Sequence, residues 1–259
     1  EVMSKLVKAD FKGYVLERRD GSVIKAIPEG EALKATLMEA LKGEATWQLV
    51  NSFGDTQDGS LMGKVEISIV PVKIDFDEAT GETLGVKDLD TPITENRGKR
   101  VLRACEIDTA SKKCRPNTGD SISLVITNTS DSPLWVTILN LRSDGTIGLA
   151  FPDGNWVRDN KIAPRTTFRL PYHFQFTPPY GEERFCAIIT RTETDFSPLI
   201  NPALLTREPE TERGRNADAS PLGKMLRQAT RGQRGATVAP PPSWATTYVV
   251  YYIIPPAGD

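Results

Sequence analysis

The stretch from Gly119 to Leu199 constrains this chain more than any other. It reads GDSISLVITNTSDSPLWVTILNLRSDGTIGLAFP and later PYGEERFCAIITRTETDFSPL. Apolar and polar residues alternate along it, and Gly, Asp, Ser or Pro interrupts the pattern at short intervals. Successive side chains of an extended strand point to opposite faces, so such alternation describes strands with one face in a core. The expected fold is mainly β: an immunoglobulin-like antiparallel β-sandwich preceded by a small α+β segment. Strands are expected at 101–107, 121–127, 134–141, 146–151, 162–170, 184–191 and 246–255. Ser143-Asp144-Gly145 is read as a hairpin turn. The last strand, TTYVVYYIIP, is dense enough in apolar residues to be buried on both sides or to close the sandwich centrally.

The front of the chain reads differently. Residues 13–27 suggest a hairpin turning at Asp20-Gly21, where Gly supplies the positive φ of a type I′ turn. Pro28 suits the first turn of a helix, Glu29 and Glu31 suit its positive end, and Leu33, Leu37 and Leu41 recur on one face. Gly43 is placed to end that helix. A short strand over TWQLVNS follows, then VEISIVPVKI, in which Pro71 implies an edge or a bulge. Residues 75–100 read as a loop or linker. The chain therefore divides into 1–90, a small α+β segment, and 91–259, the sandwich. Within the latter, residues 206–243 form a basic excursion in which Ser220-Pro221 resembles a helix start.

Composition narrows the classes of function. The 32 Lys and Arg nearly balance the 34 Asp and Glu, which argues against nucleic-acid binding over the whole surface. No apolar run approaches the length needed to span a bilayer. Three cysteines are an odd count and make no disulfide framework. Cys105 and Cys114 flank a possible turn and could pair in an oxidising compartment; two free thiols in a cytoplasmic setting is the favoured reading. The chain opens at Glu1, so a longer polypeptide is expected, with any leader upstream.

Candidate chemistry is sparse. His173 and Cys186 follow the order of a cysteine-peptidase dyad, which needs thiolate and imidazole within hydrogen-bond reach. Cys186, inside the alternating run RFCAI, is instead expected to be a small buried hydrophobe. The spacing of Cys105 and Cys114 does not suit zinc, and Asp75, Asp77, Glu78, Asp88 and Asp90 are expected to be solvated rather than to hold calcium. No cofactor or metal is expected. Arg227, Arg231 and Arg234 cluster in the basic excursion and could grip an acidic partner or nucleic acid, although the segment lacks aromatics to stack bases and a solvated linker is the plainer reading. Trp156, in a turn-rich loop, and Tyr180 are the aromatic candidates for a ligand contact. Trp135 and Trp244 are expected to pack in the core.

Several segments together resemble the non-catalytic region that follows the peptidase domain in bacterial caspase-like (metacaspase-like) proteins. They are Trp47-Gln48-Leu49-Val50-Asn51 leading into Val65-Glu66-Ile67; Asn128, Leu134 to Ile138, Asp144-Gly145, Phe151-Pro152, Gly181-Glu182-Glu183, Ala187 to Thr190 and Asp195-Phe196; and Leu222 to Gly232 followed by Trp244-Ala245-Thr246. The resemblance implies a parent cysteine endopeptidase with a His–Cys dyad, but neither dyad motif occurs in this chain, so no catalytic residue carries over. The expected function is that of a regulatory or interaction region of such an endopeptidase, or a processed fragment of it, whose partner is the peptidase domain. The alternative is a stand-alone sandwich module that binds peptide or carbohydrate. An enzyme in its own right is the weakest reading.

Overall fold

The computed structural model describes residues 4–8, 12–18, 23–30, 32–53, 58–77, 83–90, 93, 95–96, 99–153, 159–194, 196–200 and 244–256. Three strands come first: β1 (Ser4–Lys8), β2 (Gly13–Arg18) and β3 (Val23–Pro28). Helix α1 (Leu33–Ser52) follows, then β4 (Val65–Phe76), β5 (Thr83–Asp88), β6 (Glu95–Asn96) and β7 (Lys99–Arg103). The alternating region supplies β8 (Ser121–Asn128), β9 (Leu134–Leu141), β10 (Ile147–Phe151), β11 (Lys161–Ile162), β12 (Thr166–Gln175) and β13 (Gly181–Thr190). The short helix α2 (Ser197–Ile200) and β14 (Trp244–Ile254) complete the fold.

Two sheets make the β-sandwich. One has the order β10-β9-β13-β14-β7-β6, with β11 also on β9; the other has the order β12-β8-β4-β5. Pairing is antiparallel throughout except between β14 and β7. Alternation sorts the side chains as the pleat requires. On β13, Phe185, Ala187 and Ile189 enter the core between the sheets, with Ile122, Leu124 and Ile126 of β8 facing them. Cys186 and Ile188 point the other way, into a second core.

That second core explains where the front of the chain goes. Trp47 and Val50 of α1 and Phe53 at its C-terminal cap, with Phe196 and Leu199, cover the outer face of the larger sheet. The other side of α1 packs Leu33, Leu37 and Ala40 against Leu16, Ile24 and Ile27 of a three-stranded sheet, β1-β2-β3. A part-buried ion pair ties β2 to α1: Arg18 donates through Nε and Nη2 to Glu44, both at 2.9 Å, and reaches the sandwich through Nη1 to the Ser143 carbonyl at 3.3 Å. Its guanidinium also lies over the Trp47 ring, 4.4 Å from the centroid.

Several expectations need correction. Pro28 ends β3 and does not open the helix. Helix α1 runs through Gly43 and absorbs the strand expected over 46–52. A helical Gly costs about 1 kcal/mol, less than the burial of Trp47, Val50 and Phe53 contributes one to three turns later. Leu41 is not on the packed face; Ala40 is, and Leu41 is exposed. The linker read over 75–100 contains β5 and the start of β7. The division drawn at residue 90 passes through the smaller sheet, since β4 and β5 lie before it while β8 and β12 lie after it. Pro71 is neither on an outermost strand nor at a bulge. It stands where the β5 ladder stops, because β5 pairs only from Val72 onward, and its carbonyl accepts from Leu89 N–H. The helix start at Ser220-Pro221 lies outside the described residues.

Candidate functional site

The two groups that could have made a dyad are in different layers. Cys186 faces the core under α1, is fully buried, and has its thiol pushed up to about 12 by burial. His173 is on β12 of the other sheet, opposite Ser123 of β8. A thiol that stays protonated at neutral pH, with no imidazole in its layer, is not a nucleophile.

His173 belongs instead to a polar strap across the smaller sheet. Arg169 donates through Nε to Ser123 Oγ at 2.9 Å, and through Nη1 and Nη2 to the two Asp88 oxygens at 2.8 and 2.6 Å. This bidentate bond holds the Asp88 carboxyl below its usual value. Partial burial, then the Arg169 cation, lowers the His173 pKa, so the imidazole is neutral at pH 7. Its Nδ1 is buried and has no hydrogen-bond partner. Sequence reading missed Arg169, which reaches from β12 across β8 and β4 to the end of β5, a contact between residues 81 apart in the chain.

A groove of about 320 Å³ opens where β4 runs past the start of β8. Its floor is apolar, with Val72, Ile74 and Leu102 buried in it. Lys73 and Gln175 stand among its polar lining, and residues 117–121 form one wall. The lining is mixed: Asn117, Thr118, Asp120 and Ser121 join Lys73 and Gln175 around the apolar floor. The wall follows directly on a disulfide, Cys105–Cys114. The free-thiol reading of these two cysteines is therefore wrong: the turn between them, an Asx-type turn capped by Asp108 Oδ1 on Ala110 N–H and Ser111 N–H, brings their Cα atoms to 5.4 Å.

The aromatic candidates do not assemble into a platform among the described residues. Tyr180 is 44% exposed just before β13. Trp135 is half-buried under the Lys161 ammonium and pairs with Thr190 at the other end of β13, about 30 Å along the strand. Trp244 is buried against Phe53, while Trp135 is only partly in the core. Trp156, Arg227, Arg231 and Arg234 lie outside the described residues. The carboxylates read as a solvated loop are in part engaged by cations: Asp75 meets Lys87 at 3.3 Å and Lys73 at 4.0 Å, and Asp88 meets Arg169.

One buried acid was legible and overlooked. Glu183 shares the register of Phe185 and Ala187, so alternation alone aims it at the core. It is 1% exposed. Tyr251 OH donates to it at 3.1 Å, Asn140 Nδ2 at 3.3 Å, and Arg142 Nε stands 3.7 Å away. Burial still outweighs these partners and raises its pKa.

Residues 117–193 match the model of a family described as a domain of unknown function (DUF4384). No curated protein and no solved structure matches the chain. The quoted residues inside the matched span mostly build the scaffold. Asn128, fully buried, donates to the carbonyls of Ser132, Ile162 and Ala163 and accepts from Ser130. Asp144 caps its turn on Thr146, and Gly145 holds φ 81° beside Glu44 and Ile24. Phe151 is wholly in the core between the sheets. Among the described residues, no helix is long and apolar enough to cross a membrane.

Proposed function

We propose that this chain is a non-catalytic interaction and regulatory module of a bacterial caspase-like cysteine endopeptidase. The observation that carries the reading is the placement of the free thiol and the imidazole in separate layers, with the thiol held protonated. The sequence resemblance supplies the partner. The groove beside residues 117–121 is the contact surface best suited to it, because the outer face of the larger sheet is already occupied by α1. A productive contact of this kind buries on the order of 1,000 Å² or more, so the groove would be its centre and not its whole extent.

The test compares a caspase-like peptidase that carries this chain with the same protein lacking residues 1–259. Hydrolysis of a fluorogenic peptide and the soluble yield are followed in both. A change in turnover or solubility is expected, and indistinguishable behaviour on both counts defeats the proposal. In parallel, the chain alone is expected to hydrolyse no peptide, and a thiol-directed peptide inhibitor is expected to leave Cys186 unlabelled.

A further inference from the structure

Between Cys105 and Ile122 no residue is buried; each is half-buried or exposed. Ordering a backbone costs about 1–2 kcal/mol per residue, and here no apolar anchor offsets it. Hydrogen bonds hold the segment in part: Arg115 N–H to the Glu106 carbonyl at 2.7 Å, Glu106 N–H to Thr118 Oγ1 at 3.0 Å, and Arg103 N–H to Asp120 Oδ2 at 2.6 Å. Such bonds near solvent contribute modestly, because water competes for the same groups. The backbone also departs from what a free loop adopts. Lys112 and Asn117 hold φ 58° and 59°, the left-handed region, which costs a residue like Lys about 1–2 kcal/mol. These conformations persist only where the surroundings over-determine them.

Lys112 is held by its own turn, Lys112 N–H to the Asp108 carbonyl and Asp108 N–H to the Lys113 carbonyl, both at 2.8 Å, and the covalent bridge closes the loop around that turn. Gly119, at φ 68°, crosses the Ala104–Cys105 peptide, where the bridged loop begins, so closely that a Cβ there would stand 2.6 Å from the Ala104 carbonyl carbon and the Cys105 nitrogen. Disulfide, crossing and groove wall are thus one unit: Cys105 begins it, and residues 117–121 end it as the lining of the groove. Cys105 is 1% exposed, whereas Cys114 is half-buried and nearer to solvent.

We propose that the Cys105–Cys114 disulfide is a redox-operated latch on the groove wall, released by a dithiol reductant. One thiolate of the reductant attacks Cys114 Sγ and forms a mixed disulfide, while Cys105 Sγ leaves as thiolate and takes up a proton. The second thiol of the reductant then closes on the mixed disulfide and releases Cys114, which is protonated in turn. Two electrons and two protons pass to the cysteines, and the reductant ends as its own disulfide. Buried Cys186 takes no part. Loosening of residues 106–121 removes one side of the groove, so the oxidised chain is the binding-competent form. That last consequence rests on the groove being the contact surface proposed above; the latch itself does not, and is tested on the chain alone.

Hydrogen–deuterium exchange of the full chain, read by peptide mass, is the experiment. Three samples are compared: the oxidised chain, the chain treated with dithiothreitol with reduction verified by alkylation mass, and the Cys105→Ser/Cys114→Ser double variant. Reduction is expected to speed exchange over 106–121 at least tenfold, to leave β8, β9 and β13 protected, and to reverse on reoxidation. The double variant is expected to exchange fast there with or without reductant. Unchanged exchange over 106–121 in the verified reduced chain overturns the latch. So does loss of protection across both sheets, which would make the bridge a staple of the whole fold. Alkylation of Cys105 and Cys114 in the untreated chain would show that there is no bridge to open.

Discussion

The two sheets of the sandwich bury their residues differently. In the larger sheet, β13 is buried at nearly every position from Glu183 to Thr190, because one face meets the smaller sheet and the other meets α1. In the smaller sheet, Glu66 and Ser68 of β4 are exposed, Val125 and Thr127 of β8 are half-buried, and Arg169 straps the surface over buried Ser123. The larger sheet has spent its second face on holding the front of the chain. Among the described residues, no second core of this kind covers the outer face of the smaller sheet. The difference also separates the chemistry: the free thiol went to the doubly covered sheet and the imidazole to the singly covered one.

The sharpest way to break this contrast is to cut equal rings out of both sheets. Phe185→Ala, at a fully buried position, is expected to cost about 3–5 kcal/mol in denaturant unfolding, and Phe168→Ala, partly exposed on β12, roughly half as much. Equal losses would mean that the two sheets are not unequally buried. Next comes the joint between α1 and the three-stranded sheet. Arg18→Ala leaves Glu44, 3% exposed, without its cation, and about 3 kcal/mol of stability is expected to go with it. Arg169→Ala on the open sheet faces an Asp88 in solvent and is expected to lower Tm much less. A larger drop for Arg169→Ala would reverse the assignment of which face holds the fold together.

A smaller effect is expected from pH. The Glu183 carboxyl titrates higher in the folded chain than when unfolded, so its protonated form is the one that folding favours. Its contribution is complete below the unfolded value, near 4.5, and is lost as pH rises through the raised folded value. Glu183→Gln is therefore expected to raise Tm at pH 8, with the gain vanishing by pH 4. A gain independent of pH would show that charge is not the cause. The smallest signal is a null one. Iodoacetamide at neutral pH, without denaturant, is expected to leave Cys186 unmodified over hours, and rapid alkylation would place it in reach of solvent.

Much of the fold was legible because alternation is a local property. The expected strands at 121–127, 134–141 and 146–151 lie within a residue of β8, β9 and β10, and the central place of the last strand followed from its apolar density. Less of the site could be read. Glu183 was visible in the register, as a charge where Phe185 and Ala187 demand a core residue. Arg169 was not, since nothing near it in the chain announces Asp88 or Ser123. The groove was not either, because its floor and wall come from β4, β7 and the segment before β8, brought together only by folding.

By itself the sequence determined that this chain is mainly β, which residues share a face along the alternating strands, and that its one imidazole and its thiols carry no recognisable catalytic motif. Each of these depends on side-chain character at short spacing. Tertiary structure alone decided that α1 continues past Gly43, that β5 lies inside an apparent linker, that Cys105 bonds Cys114, and that Cys186 and His173 part company. In each case the deciding energy is burial, strand pairing or a covalent bond, and no pattern of side-chain character at short spacing carries that information.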